Sequence, residues 1–543
     1  MPRLRLARLP HACIVVAAPV AYFCHVFQVF DRRFWTSGLS AWLDPYFLNY
    51  LLEHWYYSVR HFTDPASPPM YFPARGTLGY SCGLILYAPF YLIARPFLHP
   101  FLAYSVALML VMVIGSLCLY LILRRFLGLG FIESLALTVF FFSSANVVNS
   151  WHTNVWSQTA SVFLVPPILL LTLTASRMPP GWPAIAMAAL SGVMWTLLVT
   201  QDFYTGWFGL LLLTLLTIGA ILVFGIDRPR IVVAYLMHQW HTNRPRIVAF
   251  VLGAGLGSIV FLWVYLDAYL QYDRFPQEQL MAALVPRDLS RWRDPASFLR
   301  YLVVYAGTRT FEFVFLVGIL AWLPWFKIPI RIRLATLWFL LISTIIVLSA
   351  VKFDQYLGWK NYSVWKRLFH ALPGYNAIRD PKRIIYTYEL AAVLVTGLFL
   401  AQLPRRALLR ISTVVLLLVL LVSEPNRQVF TFERSNAVFD RWVSAPLDID
   451  PSCRAFFIKG ASEAYTSRYG NIWGLYGIDA MFISLQHSLP TLNGYSAWTP
   501  PEWSLADPLH PEYLPEVRRW IARNHLEGVC QLDIDARTMT PFN

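Results

Sequence analysis

Acidic and imidazole side chains gather in one stretch early in the chain, and chemistry is sought there first. Between residues 31 and 100 lie Asp44, Glu53, His54 and Asp64, set among tyrosines and tryptophans. A carboxylate beside a membrane surface can act as general base toward a hydroxyl. Asp44 also has a plainer reading. Pro45 suits the first position of a helix, so the sequence predicts a helix from Pro45 to Tyr57. Asp44 would then be its N-cap, worth about 1 kcal/mol.

Three further groups have polar side chains where a membrane protein usually saves them for turns or substrates. Asp202 sits between two apolar runs, with Gln201 before it and Tyr204 after. It reads either as a cap or as a substrate contact. His152 and Gln158 flank a turn rich in tryptophan. An interfacial aromatic belt accounts for the tryptophans but less well for His152 and Gln158. Arg379, Lys382 and Arg383 precede another apolar run. This basic cluster suits the phosphate or pyrophosphate of a lipid-linked substrate. Headgroup snorkelling, or pairing with Asp380, explains it equally well.

The elements that must position these groups are membrane helices. The chain has 543 residues, 57% of them hydrophobic, and a mean hydropathy of +0.51. Apolar runs long enough to cross a bilayer are predicted at 12–30, 101–123, 131–148, 157–175, 182–199, 203–226, 247–268, 299–323, 332–350, 385–402 and 407–424. Backbone groups in lipid must bond internally, so these spans read as helices. Alternate gaps are short and basic: Arg124-Arg125, Arg177, 227–246 with Arg244 and Arg246, then Lys327 to Arg333, and Arg405 to Arg410. With a basic, retained amino-terminal helix starting inside, these gaps are cytoplasmic. The net charge of +14 is thus accounted for by topology and anionic lipid rather than by nucleic acid. Residues 78–98 are apolar enough to imitate a span, which would make twelve. Gly79, Gly83, Pro89 and Pro96 favour instead a helix pair lying at the outer interface.

The fold class expected is a polytopic α-helical membrane protein of about eleven spans. Residues 1–424 form the membrane domain, with 31–100 as a long first outer loop. Residues 425–543 form an extracytoplasmic α+β domain, since their composition is that of a soluble protein. Within it Arg454–Ile458 and Ala480–Ile483 read as strands, and Pro511–Asn524 as an amphipathic helix. Cys453 and Cys530 are the two cysteines of this tail. They would pair as a disulfide in an oxidising compartment and stay free thiols in a reducing one. Walker A, GxSxG, HExxH and CxxCH patterns are absent from the sequence.

The order of these features resembles the GT-C superfamily of membrane glycosyltransferases, which use polyprenyl-phosphate-linked sugars. The likeness is to the glycosyltransferase 39 and YfhO-like groups. It rests on Leu43-Asp44-Pro45, the aromatic loop, and Asp64-Pro65 before Tyr71-Phe72-Pro73-Ala74. It continues with Gln201-Asp202-Phe203-Tyr204, Ile378 to Arg383, and Asn493-Gly494-Tyr495-Ser496 in the tail. The resemblance implies that Asp44 is the base; a one-step displacement by the acceptor hydroxyl would then make the enzyme inverting. It implies that Arg379, Lys382 and Arg383 hold the donor phosphate, and that Glu53, His54, Asp64, His152, Gln158, Asp202 and Tyr204 line the cavity. A second acidic partner, and a divalent cation such as Mg or Mn, are common in such enzymes. This chain has Asp44-Pro45-Tyr46 in place of a close acidic doublet. A bacterial inner membrane location follows, with a glycan, lipid or protein as acceptor. A lipid or lipid-sugar transporter and a non-catalytic assembly factor are the competing readings.

Overall fold

The structure is a computed structural model that describes residues 9–39, 43–143, 157–225, 229–271, 322, 329–349, 384–402, 432–459 and 473–542. Apolar runs become helices here. Helices α1 (Leu9–Val26), α2 (Leu43–His61), α3 (Ala88–Ala94), α4 (Pro100–Arg125) and α5 (Phe131–Ser143) come first. Two helical turns at 157–164 lead into α6 (Val165–Arg177), followed by α7 (Trp182–Gln201), α8 (Phe203–Gly225) and α9 (Pro229–Leu270). The later helices are α10 (Ile330–Ser349) and α11 (Ile384–Gln402). Among the described residues, three helices are long and apolar enough to cross a membrane: Pro100–Arg125, Trp182–Gln201 and the Trp240–Leu270 part of α9. Shorter apolar helices accompany them. The spans predicted at 299–323 and 407–424 lie outside the described residues, as does the domain boundary at 425.

Two expectations change. In the basic gap expected at 227–246, residues 229–246 are helix, because α9 runs unbroken for 42 residues from Pro229. At 1.5 Å per residue that is about 63 Å, twice the hydrocarbon thickness. Polar residues there mark only where the helix leaves an apolar environment, not where it ends. Residues 78–98 contain only a 3-10 turn (Thr77–Tyr80) and the seven-residue α3. Seven helical residues reach about 10 Å, too short to cross.

α7 and α9 meet along a seam of small residues, the device that lets membrane helices approach closely. A Cβ on Gly253 would lie 2.0 Å from the Ala189 carbonyl, and one on Gly192 at 2.0 Å from the Phe250 carbonyl. Thr196 Oγ1 donates across the seam to the Ala254 carbonyl at 3.2 Å. Gly253→Val is therefore expected to force the helices apart and destabilise the protein by about 1–3 kcal/mol. A fall in melting temperature in detergent, absent for an exposed Leu256→Val control, checks it.

The two ends of the bundle differ. At one, Arg246 Nη2 donates to the Met178 carbonyl at 2.6 Å beyond the end of α6. Arg177 lies over the Phe126 ring there. At the other end the loop after α1 and the tail fold into one core. The tail has a four-stranded sheet in the order β3 (Asp448–Ile449), β6 (Thr538–Pro541), β5 (Val529–Asp533), β4 (Ala455–Ile458). β4 runs parallel to β5, and β5 antiparallel to β6. Cys453 and Cys530 form a disulfide, with Cα atoms 5.6 Å apart. Helices α12 (Trp473–His487) and α13 (Tyr513–Arg523) complete the tail. Ala480–Ile483, expected as a strand, lies inside α12. A fully buried apolar run has no polar side to reveal its period.

Three seams join tail and loop. β1 (Ser37–Leu39) pairs antiparallel with β2 (Phe432–Ser435). Thr491 N–H donates to the Pro69 carbonyl at 3.0 Å, and Phe72 N–H to the Thr491 carbonyl at 2.9 Å. α12 packs on α2, where Tyr46 stacks on Phe482 with ring centroids 4.9 Å apart. Tyr46 also donates to Asp479 at 2.6 Å.

Candidate functional site

Asp44 stands in the first turn of α2, one residue inside a helix that begins at Leu43. The N-cap expectation is thus off by two positions, and Asp44 is itself helical. The carboxylate still gains from the positive helix start. Its partner comes from the far end of the chain: Tyr495 Oη donates to Asp44 Oδ1 at 2.6 Å. Among the described residues no other donor reaches Asp44, so Oδ2 stays open. The side chain is half-buried.

The residues around Tyr495 hold it in place. Buried Asn493 accepts from the Ile458 N–H at 2.9 Å and donates to Tyr513 Oη at 2.8 Å. Gly494 lets Tyr71 pack on the backbone, where a Cβ would lie 2.4 Å from its ring. Ser496 Oγ and Tyr71 Oη are 3.0 Å apart. The Tyr495 ring meets Phe47 edge-on, with centroids 5.6 Å apart. Each residue of Asn493-Gly494-Tyr495-Ser496 therefore has a structural task, and that of Tyr495 is to fix Asp44.

The other early-loop residues are drawn elsewhere. Glu53 is nine residues beyond Asp44, about 13 Å along α2 and half a turn round. It faces away and pairs with Arg95, through Nε at 2.7 Å and Nη2 at 2.8 Å. Tyr91 Oη adds a third bond at 2.5 Å. Glu53 is therefore not a second acid for Asp44. Asp64 closes its own turn, accepting from Ala66 N–H at 3.0 Å and Ser67 Oγ at 2.8 Å.

His54 is buried, with Nε2 3.0 Å from the Pro65 carbonyl. A carbonyl only accepts, so Nε2 holds the proton and Nδ1 is a bare acceptor. Among the described residues no donor reaches Nδ1. Burial pushes this imidazole down from 6.5 to about 4. Below its ordinary pKa the unfolded chain then holds the extra proton. The stabilisation is full above pH 6.5 and is lost as pH falls toward 4. Wild type is expected to lose roughly 3 kcal/mol across that window. His54→Gln should flatten this slope in stability measured against pH.

Asp202 is buried and caps α8. Its Oδ2 accepts from Thr205 N–H at 3.0 Å and Thr205 Oγ1 at 2.6 Å. Tyr204 N–H bonds Oδ1 at 3.3 Å. Gln201 reaches into the outer loop, accepting from Leu86 N–H at 2.8 Å. Gln158 Nε2 lies 3.3 Å from Cys82 Sγ. Asp202, Gln158 and Cys82 thus form a buried knot that ties the loop to the α7–α8 turn. Nothing in the sequence marked Gln201 or Cys82 for this task.

His152, Arg379, Lys382 and Arg383 lie outside the described residues. Among the described residues no group of three His, Cys, Asp or Glu side chains is arranged to hold a metal ion. No protein-family model, curated protein or solved structure matches the chain. The described residues make it a membrane-associated helical protein with a distinct mixed-sheet domain at the carboxyl end.

Proposed function

We propose that the chain is an inverting glycosyltransferase of the GT-C kind, set in a bacterial inner membrane. It crosses about eleven times, with a cytoplasmic amino terminus, and carries the Asp44 end and the tail on the outer face. A polyprenyl-phosphate sugar enters laterally from the lipid. Asp44 takes the proton of an acceptor hydroxyl at its open Oδ2. The hydroxyl oxygen bonds the anomeric carbon as the bond from that carbon to the phosphate oxygen breaks. Polyprenyl phosphate leaves, and Arg379, Lys382 and Arg383 balance its growing charge.

One observation supports this reading above the rest. A half-buried carboxylate at a helix start has one oxygen held by Tyr495 and the other unoccupied among the described residues. A structural cap would satisfy backbone N–H groups instead, as Asp202 does. The test is release of polyprenyl phosphate from a panel of polyprenyl-phosphate sugars, with membrane extract supplying acceptors. Release requiring the purified protein supports transfer. Folded protein that binds these lipids without release would move the assignment to a transporter or an assembly factor.

A further inference from the structure

Glu53 and Arg95 lie in the wall of a groove that the Asp44 reaction does not use. A cavity of about 180 Å³ is lined by Glu53, Tyr56, Tyr57, Arg60 and His61 on one side, and by Gln486 and its neighbours on the other. It shares Arg95, Pro100, Phe439 and Gln486 with a second cavity of about 420 Å³. The larger one continues past His99 to Asp440 and Ser444. Its volume falls within the ~300–1,000 Å³ typical of small-molecule sites. The walls come from α2, from the 95–100 corner, and from the tail at 439–444 and the end of α12. The groove therefore forms only when the tail is seated.

Its central ion pair, Glu53 with Arg95, is fixed and mutually neutralised. Both Glu53 oxygens are held by Arg95, and one of them also by Tyr91. Arg95 spends a third donor, Nη1, on the Leu98 carbonyl at 3.1 Å. Its guanidinium also lies over the Tyr56 ring, 5.3 Å from the centroid. An anion would find this arginine already committed. Of the remaining charges, Arg60 lines one cavity and Asp440 the other. Aromatic surface comes from Tyr57, stacked on His61 with centroids 4.4 Å apart. Gln486 and Ser444 supply neutral donors and acceptors, bonded to each other at 2.9 Å.

Paired charges, rigid acceptors, amide and hydroxyl groups and aromatic faces suit a neutral polyhydroxylated ligand. We infer that this groove is a saccharide-binding site, separate from the Asp44 carboxylate by about 13 Å along α2 and on the opposite side of that helix. It requires no turnover, so it stands or falls apart from the transferase reading. The saccharide could be free or borne by a lipid, because Phe97, 84% exposed, extends the rim beside the start of α4.

Full-length protein in phosphatidylethanolamine–phosphatidylglycerol nanodiscs is tested in two arms. One uses soluble hexaoses of glucose, mannose, galactose or N-acetylglucosamine, read by saturation-transfer NMR and titration. The other uses nanodiscs doped with monoglucosyl or monogalactosyl diacylglycerol, read by native mass spectrometry. Binding is expected in at least one arm, and the arm identifies the source. Tyr57→Ala and Gln486→Ala should each weaken it about tenfold, with unchanged melting profiles. Asp44→Asn should bind as wild type does. No binding in either arm by folded wild type overturns the proposal. So does binding that both groove variants leave unchanged, or binding that inorganic phosphate displaces.

Discussion

Asp44→Asn is expected to cut polyprenyl phosphate release at least about 100-fold, the lower end for loss of a general base. Asparagine keeps the shape and can still accept from Tyr495, so the fold and the α2–tail contact should persist. What disappears is a basic oxygen at the Oδ2 position. Tyr495→Phe separates the two roles of the pair. It leaves the carboxylate in place and removes the hydroxyl that orients it at 2.6 Å. Its effect should be smaller, about tenfold, as for one hydrogen bond to a charged group. Combining both changes should cost little more than Asp44→Asn alone, since Tyr495 acts through Asp44. Single-turnover release with a saturating donor measures this. Equal activity of Asp44→Asn and wild type would remove Asp44 from the chemistry.

Breaking the Cys453–Cys530 bridge should have the largest effect on stability. The cysteines are 77 residues apart, and closing a loop of that length is worth about 4 kcal/mol on the chain-entropy account. The loop contains β4, α12 and Asn493–Ser496, the parts that carry Tyr495 to Asp44. Cys453→Ser, or reduction of wild type, should therefore loosen the tail first. The expected readout is protease cleavage within 454–529 before any loss of the helical signal. Loss of donor turnover should follow the cleavage, because Asp44 loses its anchor.

Some of this was legible in the chain and some was not, for identifiable reasons. α4 and α7 announce themselves because a long apolar run admits one reading in lipid. Two cysteines in a polar tail left a bridge and two free thiols both open, and the structure forms the bridge. Asp202 was open to a capping role from its neighbours alone, and it spends its oxygens on a turn; Asp64, read as a cavity residue, instead closes its own turn. The start of α9 was missed because polarity marks solvent, not helix ends. Ala480–Ile483 was misread because buried runs have no period. The Asp44–Tyr495 contact spans 451 residues. Local patterns carry no signal for so distant a pair. The motif around Tyr495 was noticed, but its target was not. The groove beside Glu53 was invisible for the same reason, since the first loop, the α4 entrance and the tail each supply a wall.

The pairing of β1 with β2, and of Asp44 with Tyr495, imposes an order on biosynthesis. The first loop is made early, yet its strand partner is made much later and its tyrosine comes 451 residues after Asp44. During translation α2 must wait, with Tyr46, Phe47 and Tyr50 uncovered, until the final part of the chain arrives to cover them. A ribosome that stops before residue 495 leaves a chain whose Asp44 carboxylate has no Tyr495 to hold it. The Asp44 carboxylate is thus held in place only once the segment that carries Tyr495 has been made.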